Sequence, residues 1–183
     1  MTNDKARTAT RETRAREESA KFDSAFLKHW QPVYRALVRL VGDHAEAEDL
    51  ALETFWRLYR RPPTDERDDH LGGWLYRVAT NLGLNALRAR KRREQHELAA
   101  GKWEIEKQSA DALDAVAAEE ERQRVRAVLS TMDARQAQLL LLRHSGMAYK
   151  ELAAALDVSV NSIGTLLSRA EREFEKRYRE KGE

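Results

Sequence analysis

The chain has 183 residues, 42% of them apolar and 35% charged, with few Gly and Pro, no Cys and a net charge of +2. That is enough for one or two small helical domains, and it excludes a disulfide framework and any zinc site built on Cys. No run reaches membrane-spanning length, the N-terminus lacks the apolar core of a signal peptide, and alternating β-branched runs are absent, so we expect an all-α, soluble, cytoplasmic protein of two small helical domains.

Charge is unevenly spread. Residues 22–93 hold 13 bases and 10 acids, residues 94–121 hold 2 bases and 9 acids, and residues 122–183 hold 12 bases and 8 acids. Two basic blocks flanking an acidic connector read as two modules that face nucleic acid and a linker that avoids it. Residues 1–21 are polar and lack an apolar period, so a flexible arm is expected there.

The first domain, residues 22–93, opens with a helix over 22–41. Phe26, Trp30, Val33, Tyr34, Leu37, Val38 and Val41 supply its buried face, and Pro32 either kinks it or marks a second start. Gly42 suits the position after a helix end, and Asp43 with Glu46 has the spacing of a capping box for a helix over 44–61. That helix buries Ala47, Leu50, Ala51, Phe55 and Leu58. It places Glu46, Glu48, Asp49 and Glu53 early, and Arg57, Arg60 and Arg61 late. The order suits the helix dipole by itself; a docking face for a basic partner is the other reading, and the residues alone do not choose. Pro62-Pro63 stops the helix, and the acidic stretch from Thr64 ends at Gly72-Gly73, read as a hinge.

Leu71–Arg93 is the segment with the most chemistry. Leu71, Trp74, Leu75, Val78, Ala79, Leu82 and Ala86 share one helix face, while Leu84 and Leu87 mark another. Arg77, Asn81, Asn85, Arg88 and Arg92 line a strip about 100° from the first face, with Trp74 at its edge. The helix ends in Arg88-Ala89-Arg90-Lys91-Arg92-Arg93, five bases in six residues. Arg and Lys neutralise phosphates, Asn pairs with base edges, and Trp offers a face to an unstacked base. Cations that merely suit a helix C-terminus need only one or two bases, so the strip is read as a nucleic-acid surface.

Residues 94–118 are acidic and weakly periodic, a linker in which Trp103 is expected to pack against something. The second domain, residues 119–183, starts with a helix carrying Val125, Val128, Leu129 and Met132. Asp133 is placed to cap a helix over 134–144, which Ser145-Gly146 ends. A short helix over 149–156 buries Leu152, Ala153 and Leu156, and Asp157-Val158 makes a tight turn. Ser159 then caps a helix over 160–177. Ile163, Leu166, Leu167, Ala170 and Phe174 form its apolar stripe, and Asn161, Thr165, Ser168 and Arg172 its small polar one. Short helix, tight turn and a capped helix with a polar outer face make a helix-turn-helix suited to a major groove; an ordinary helical hairpin is the plainer alternative.

The five His do not pair at metal spacing, His44 suits a local hydrogen bond, and neither a Gly-rich phosphate loop nor a nucleophile turn occurs. No catalytic group, metal or cofactor is assigned, and an enzyme is not expected.

The segments AEAEDLALETFWRLYRR (Ala45–Arg61), GGWLYRVATNLGLNALRARKRR (Gly72–Arg93) and LSTMDARQAQLLLLRHSGMAYKELAAALDVSVNSIGTLLSRAEREF (Leu129–Phe174) resemble, in order, the sigma factors of RNA polymerase. The chain is similar to the sigma-70 family, in its small extracytoplasmic-function group that keeps regions two and four. The resemblance implies a promoter-specificity subunit. Asp49, Glu53, Phe55 and Arg57 would meet the clamp helices of core polymerase, and the second module its flap. Asn81 and the acidic loop Asp65–His70 would hold an extruded base of the minus-ten element, with Trp74, Arg77, Asn85, Arg88, Lys91 and Arg92 on the adjoining strands. Asn161, Ser162, Thr165, Ser168, Arg169 and Arg172 would read the minus-thirty-five element. An anti-sigma factor is a further partner it allows.

Three positions depart from the family's pattern. Leu52 stands where Gln is frequent, Gly164 and Leu166 where Lys and Arg are frequent, and Ala148 where Ser or Thr gives a cap contact worth about 1 kcal/mol. The alternatives are a helix-turn-helix regulator that acts on duplex DNA without polymerase, and a helical adaptor that binds only protein and shows no salt-dependent affinity for DNA.

Overall fold

In the computed structural model, residues 2–63, 68–99 and 113–181 are described, and they form seven helices and no strand, the all-α class that the sequence predicts. They are α1 (Thr2–Val41), α2 (His44–Arg60), α3 (Asp68–Ala99), α4 (Leu113–Thr131), α5 (Ala134–His144), α6 (Tyr149–Leu156) and α7 (Val160–Glu180). The expected flexible arm is the first half of α1. Residues 2–20 contain neither Gly nor Pro and are rich in Ala, Arg and Glu, so propensity extends the helix where apolar period is missing. Pro32 lies inside α1 without ending it. Buried Ala25 before it and buried Val33 and Leu37 after it hold both halves on one core.

Between α1 and α2 the chain turns on Gly42, at φ +83°, whose N–H returns to the carbonyl of Val38 (2.9 Å). Asp43 caps α2: its Oδ1 accepts the N–H of Glu46 at 2.7 Å. The Glu46 carboxylate is turned to Arg90 of α3, and Arg90 also donates to the Val41 carbonyl at the end of α1 (3.2 Å). One guanidinium thus ties three helices together at a helix C-terminus, where a cation is favoured.

The Gly72-Gly73 hinge does not exist. Both glycines lie within α3, because the helix starts at Asp68 and tertiary packing holds it through the weak pair. Their use is close approach instead. A Cβ on Gly73 would stand 3.4 Å from Met147 Cε and 3.5 Å from Ala155 Cβ, and one on Gly83 only 2.5 Å from Leu40 Cδ2. α3 is therefore gripped from two sides, by α1 and α2 on one and by α4, α5 and α6 on the other.

That double grip joins the two expected domains. Val128, Leu129, Met132 and Ala137 of α4 and α5 belong to the same buried cluster as Val33, Leu37, Phe55, Leu75 and Leu84. A second cluster gathers Leu139, Leu142, Met147, Leu152, Leu156, Ile163 and Leu167 beneath α5, α6 and α7, and Tyr76 of α3 packs on it. α4 begins at Leu113, ahead of the expected boundary at Glu119. Trp103 and most of the expected linker fall outside the described residues.

Candidate nucleic-acid interface

The strip on α3 survives the packing. Asn81 and Asn85 are exposed, one turn apart on the same side, and Arg92 and Arg93 continue the exposed surface. The opposite side is what fixes them: Ala79, Gly83, Leu84 and Leu87 are buried, so the asparagines have nowhere to go but solvent. Thr80, beside them, is buried and satisfied locally, its hydroxyl donating to the carbonyls of Tyr76 (2.7 Å) and Arg77 (3.2 Å).

The rest of the strip is partly engaged. Trp74 is half-buried against the shared core, so only part of it is open to a partner. Arg77 and Lys91 are half-buried. Arg88 donates to the Met132 carbonyl just beyond the end of α4, at 3.1 Å. Of the five bases in the terminal block, Arg88 and Arg90 thus serve helix ends, and Arg92 and Arg93 stay fully available. Lys181, past the end of α7, is held below the usual lysine range by burial and by the ammonium of Lys91 nearby. Of the acidic loop assigned to the extruded base, residues 64–67 lie outside the described residues, while Asp68 begins α3.

The helix-turn-helix is present in α6 and α7. Asp157 takes a left-handed conformation at φ +53°, and the N–H of Val158 bonds back to the Ala153 carbonyl (3.0 Å), which turns the chain sharply into α7. Ser159 occupies the cap position, yet its hydroxyl makes no cap bond; its carbonyl accepts the N–H of Ser162 instead (2.9 Å). At the start of α6, Ala148 lacks a capping side chain, and Glu151 partly makes up for it by accepting the Ala148 N–H (2.6 Å). On α7 the buried Ile163, Leu167 and Ala170 turn Asn161, Ser162, Thr165, Ser168, Arg169 and Arg172 outward, and all six are exposed. Ser168 donates to the Gly164 carbonyl and Arg172 to the Ser168 carbonyl, which holds both against the helix surface. Gly164 leaves room for the ring of Tyr149, 4.0 Å from where a Cβ would be, and the Arg143 guanidinium lies over the same ring.

On α2 the residues assigned to docking divide. Asp49 is exposed, and Glu53 and Arg57 form an ion pair at 2.8 Å along the outer face. Phe55 is 2% exposed and lies against the rings of Phe26 (4.9 Å) and Trp30 (5.8 Å). It anchors α2 to α1, so its ring belongs to the core of the described fold and not to the outer face of α2. Its place on the outer face is taken by residues that periodicity passed over. Leu52 (49% exposed), Trp56 (52%) and Tyr59 (63%) lie exposed beside the ion pair, with Trp56 stacked on Tyr59, Tyr59 edge-on to Phe22 of α1 (5.5 Å), and Arg60 over the Trp56 ring. The signal was available: all three fall off the apolar face that Ala47, Ala51, Phe55 and Leu58 define. Large apolar side chains in a row outside that face mark a surface waiting for cover.

The described residues hold no group of three or more His, Asp or Glu that fits a metal ion, and no described helix is long and apolar enough to cross a membrane.

Two family models match the chain in this order. A model of sigma-70 region 2 covers residues 25–93, and one of sigma-70 region 4 covers residues 122–174. Among characterised proteins, the ECF RNA polymerase sigma factor SigE of Mycolicibacterium smegmatis is 30% identical over 157 residues, which are 82% of this chain and 58% of that protein. The RNA polymerase sigma-H factor of Pseudomonas aeruginosa is 38% identical over 78 residues, 43% of this chain and 40% of that protein. The aligned part of the chain thus spans about half the length of these relatives. Solved structures share the fold. The sigma factor RpoE in complex with the anti-sigma factor NepR from Bartonella quintana superposes with a TM-score of 0.51 at 22% identity, over 86% of this chain and 96% of that one. CnrH in complex with the cytosolic domain of CnrY gives 0.53 at 19% identity, over 85% of each.

Proposed function

The chain belongs to the sigma-70 family of RNA polymerase sigma factors, in its extracytoplasmic-function group, and from this we propose that it binds core polymerase and directs initiation at a specific class of promoters. The observation that carries the reading is the exposed Asn81–Asn85 pair on a helix that runs into free Arg92 and Arg93. Bases that have left the stack can be met by the two amides, while the arginines neutralise flanking phosphates. Flipping a base costs a few kcal/mol, so capture of the exposed strand couples recognition of the minus-ten element to its opening. Trp74, Arg77, Arg88 and Lys91 widen this contact once their present partners are released.

The outer face of α7, from Asn161 to Arg172, reads the minus-thirty-five element in the major groove. The names of the two elements put about 25 base pairs between them, or about 85 Å of duplex at 3.4 Å per pair. With Gly164 and Leu166 where bases are frequent, that reading relies on Asn161, Thr165 and Ser168 for base edges and on Arg169 and Arg172 for phosphate. On α2, Asp49, Glu53, Arg57, Leu52, Trp56 and Tyr59 form the face for the clamp helices, and the second module meets the flap. The protein works where the chromosome is, in the cytoplasm, and carries out no bond chemistry itself. An anti-sigma factor is assigned as a further partner by likeness to the two complexes.

A regulator acting on duplex DNA without polymerase has no use for the exposed α2 face. Reconstitution tests the reading: core polymerase supplemented with this chain initiates from a subset of promoters in a genomic library, and silence at every promoter counts against it. Asn81→Ala lowers open-complex formation and leaves core affinity unchanged; equal loss of both overturns the role of the strip.

A further inference from the structure

The helix that enters the major groove carries no charge where it would meet bases. From Val160 to Ser168 the sequence VNSIGTLLS holds neither an acid nor a base, and the first cation on α7 is Arg169. At 1.5 Å per residue that uncharged start is about 13 Å long, close to the roughly 12 Å width of a major groove. A helix laid in with its N-terminal residues on base edges therefore reads them with uncharged groups alone. Arg169 and Arg172, both exposed, arrive at the rim where phosphates stand.

Two apolar side chains continue this surface. Among the described residues, Val160 (45% exposed) and Tyr149 (44%) are the large hydrophobics that α6 and α7 leave uncovered. Each opens its helix. At 100° per residue, Val160 and Gly164 lie on one flank of the stripe formed by Asn161, Thr165 and Ser168. The ring of Tyr149 borders the same flank, its Cε2 4.0 Å from where a Gly164 Cβ would lie, so glycine leaves open the ground that a longer side chain would share with the ring. The Arg143 guanidinium, 5.7 Å from the ring centroid, is itself held by a bond to the Met147 carbonyl (3.1 Å). Uncovered apolar surface beside a polar reading face calls for a partner that is apolar at the same place. A major groove offers one such group, the C5-methyl of thymine.

We propose that this surface selects minus-thirty-five elements with A·T pairs under the first two turns of α7, where thymine methyls pack on Val160 and Tyr149 and the Asn161 amide takes an adenine edge. It rests on the function proposed above and names the sequences on which that function acts. Asn161 offers a donor and an acceptor, the match to N7 and the N6 amino group of adenine. Guanine is the base that loses. Its O6 and N7 are both acceptors, and their usual bidentate partner is an Arg or Lys, which this part of α7 lacks. Continuity identifies DNA as the cover: the apolar pair borders the polar stripe, and Arg169 and Arg172 continue the same helix with charge that suits phosphate.

Duplexes randomised over both promoter elements, retained by core polymerase carrying the full-length chain and then sequenced, give the base preference. The upstream of the two enriched motifs should hold neighbouring A·T pairs. Deoxyuridine in place of thymine there removes the methyl and keeps every hydrogen-bonding group, and should weaken retention by about fourfold for each methyl contacted. Val160→Ala with Tyr149→Ala, both at exposed helix starts, should bind the thymine duplex less tightly and no longer distinguish it from the deoxyuridine one. Gly164→Arg, where a Cβ meets nothing closer than 4.0 Å, should bring guanine into the upstream motif. Three results overturn the proposal: a guanine-rich upstream motif selected by the parent, equal retention of thymine and deoxyuridine duplexes, or a Gly164→Arg protein with the parent's preference. A double variant that loses core affinity yet still distinguishes thymine assigns the apolar pair to polymerase and overturns it as well. Selection of A·T duplexes that are then not transcribed counts against the proposed function and leaves the base preference standing, whereas enrichment of no sequence overturns both.

Discussion

Gly83→Ala tests how tightly α1 and α3 cross beneath the strip. In an exposed helix interior this change gains up to about 1 kcal/mol, because Gly carries the larger entropy cost. Here the new methyl would stand 2.5 Å from Leu40 Cδ2, 3.2 Å from Leu40 Cγ and 3.3 Å from Leu37 Cδ2. Carbon atoms prefer about 3.5–4.0 Å, so roughly 1 Å of separation must be made. Leu40 and Leu37 are 3% and 1% exposed, so neither can swing into solvent to provide it. Overpacking costs about 1–3 kcal/mol, an approach as short as 2.5 Å belongs to the upper part of that range, and after a propensity gain of about 1 kcal/mol a net loss of about 1–2 kcal/mol remains. At about 2–4 °C per kcal/mol for a chain of this size, Tm should fall by about 2–8 °C. Thermal melting followed by circular dichroism reads the shift directly. A double-mutant cycle adds a sharper criterion: Leu40→Ala should cost less in the Gly83→Ala background than in the parent, since it removes the obstructed methyl. A Gly83→Ala protein as stable as the parent, or more so, refutes the reasoning that this crossing is sterically closed.

Trp56→Ala and Tyr59→Ala should each weaken polymerase binding by about 2 kcal/mol if they anchor the docking face, with little change in Tm for Trp56→Ala and a small fall for Tyr59→Ala, which also loses its contact with Phe22; titration of labelled protein into core polymerase measures it, and unaltered affinity dissociates this face from docking. Arg92→Gln should lower the slope of log affinity against log salt by about 0.9, the signature of one lost phosphate contact, equally on all promoter sequences. A loss confined to one base position would make Arg92 a base reader instead. Tyr178 donates to the Glu121 carboxylate at 2.6 Å, and that bond, with burial, raises its phenol above the usual value of 10.0 while Arg124 pulls the other way. The folded state therefore holds this proton harder than the unfolded one. The contribution is complete below pH 10 and disappears as pH climbs through the raised folded value. Tyr178→Phe should accordingly lower stability at neutral pH and flatten its alkaline decline, and an unchanged alkaline limb rules out the Glu121 bond as the cause.

Local chemistry made much of this legible. α5 and α6 have the predicted bounds because Asp133 caps one and Ser145-Gly146 ends it, and because Leu152, Ala153 and Leu156 leave a short helix one buried face. The α3 strip was readable since Asn and Arg recur at the period of the helix that the apolar residues define. What stayed hidden depends on contacts between segments distant in sequence. Gly72-Gly73 looks like a hinge until His29 and Ala155 are known to press on it, and only then does the absence of Cβ become the reason for the pair. Phe55 matched a docking position by order along the chain, but the α1 rings of Phe26 and Trp30 claim it. Trp56 and Tyr59 were overlooked because a periodicity search looks for what the core takes, and these two are what the core leaves.

The shared cluster that mixes Val128 and Leu129 with Val33 and Phe55 has a consequence for how the protein melts and how it is cut. Heating should give a single cooperative transition in the free chain, since neither half closes its interior alone. A fragment ending after the basic block of α3 would carry an open apolar seam, and its solubility, not its DNA affinity, would limit what can be learned from it.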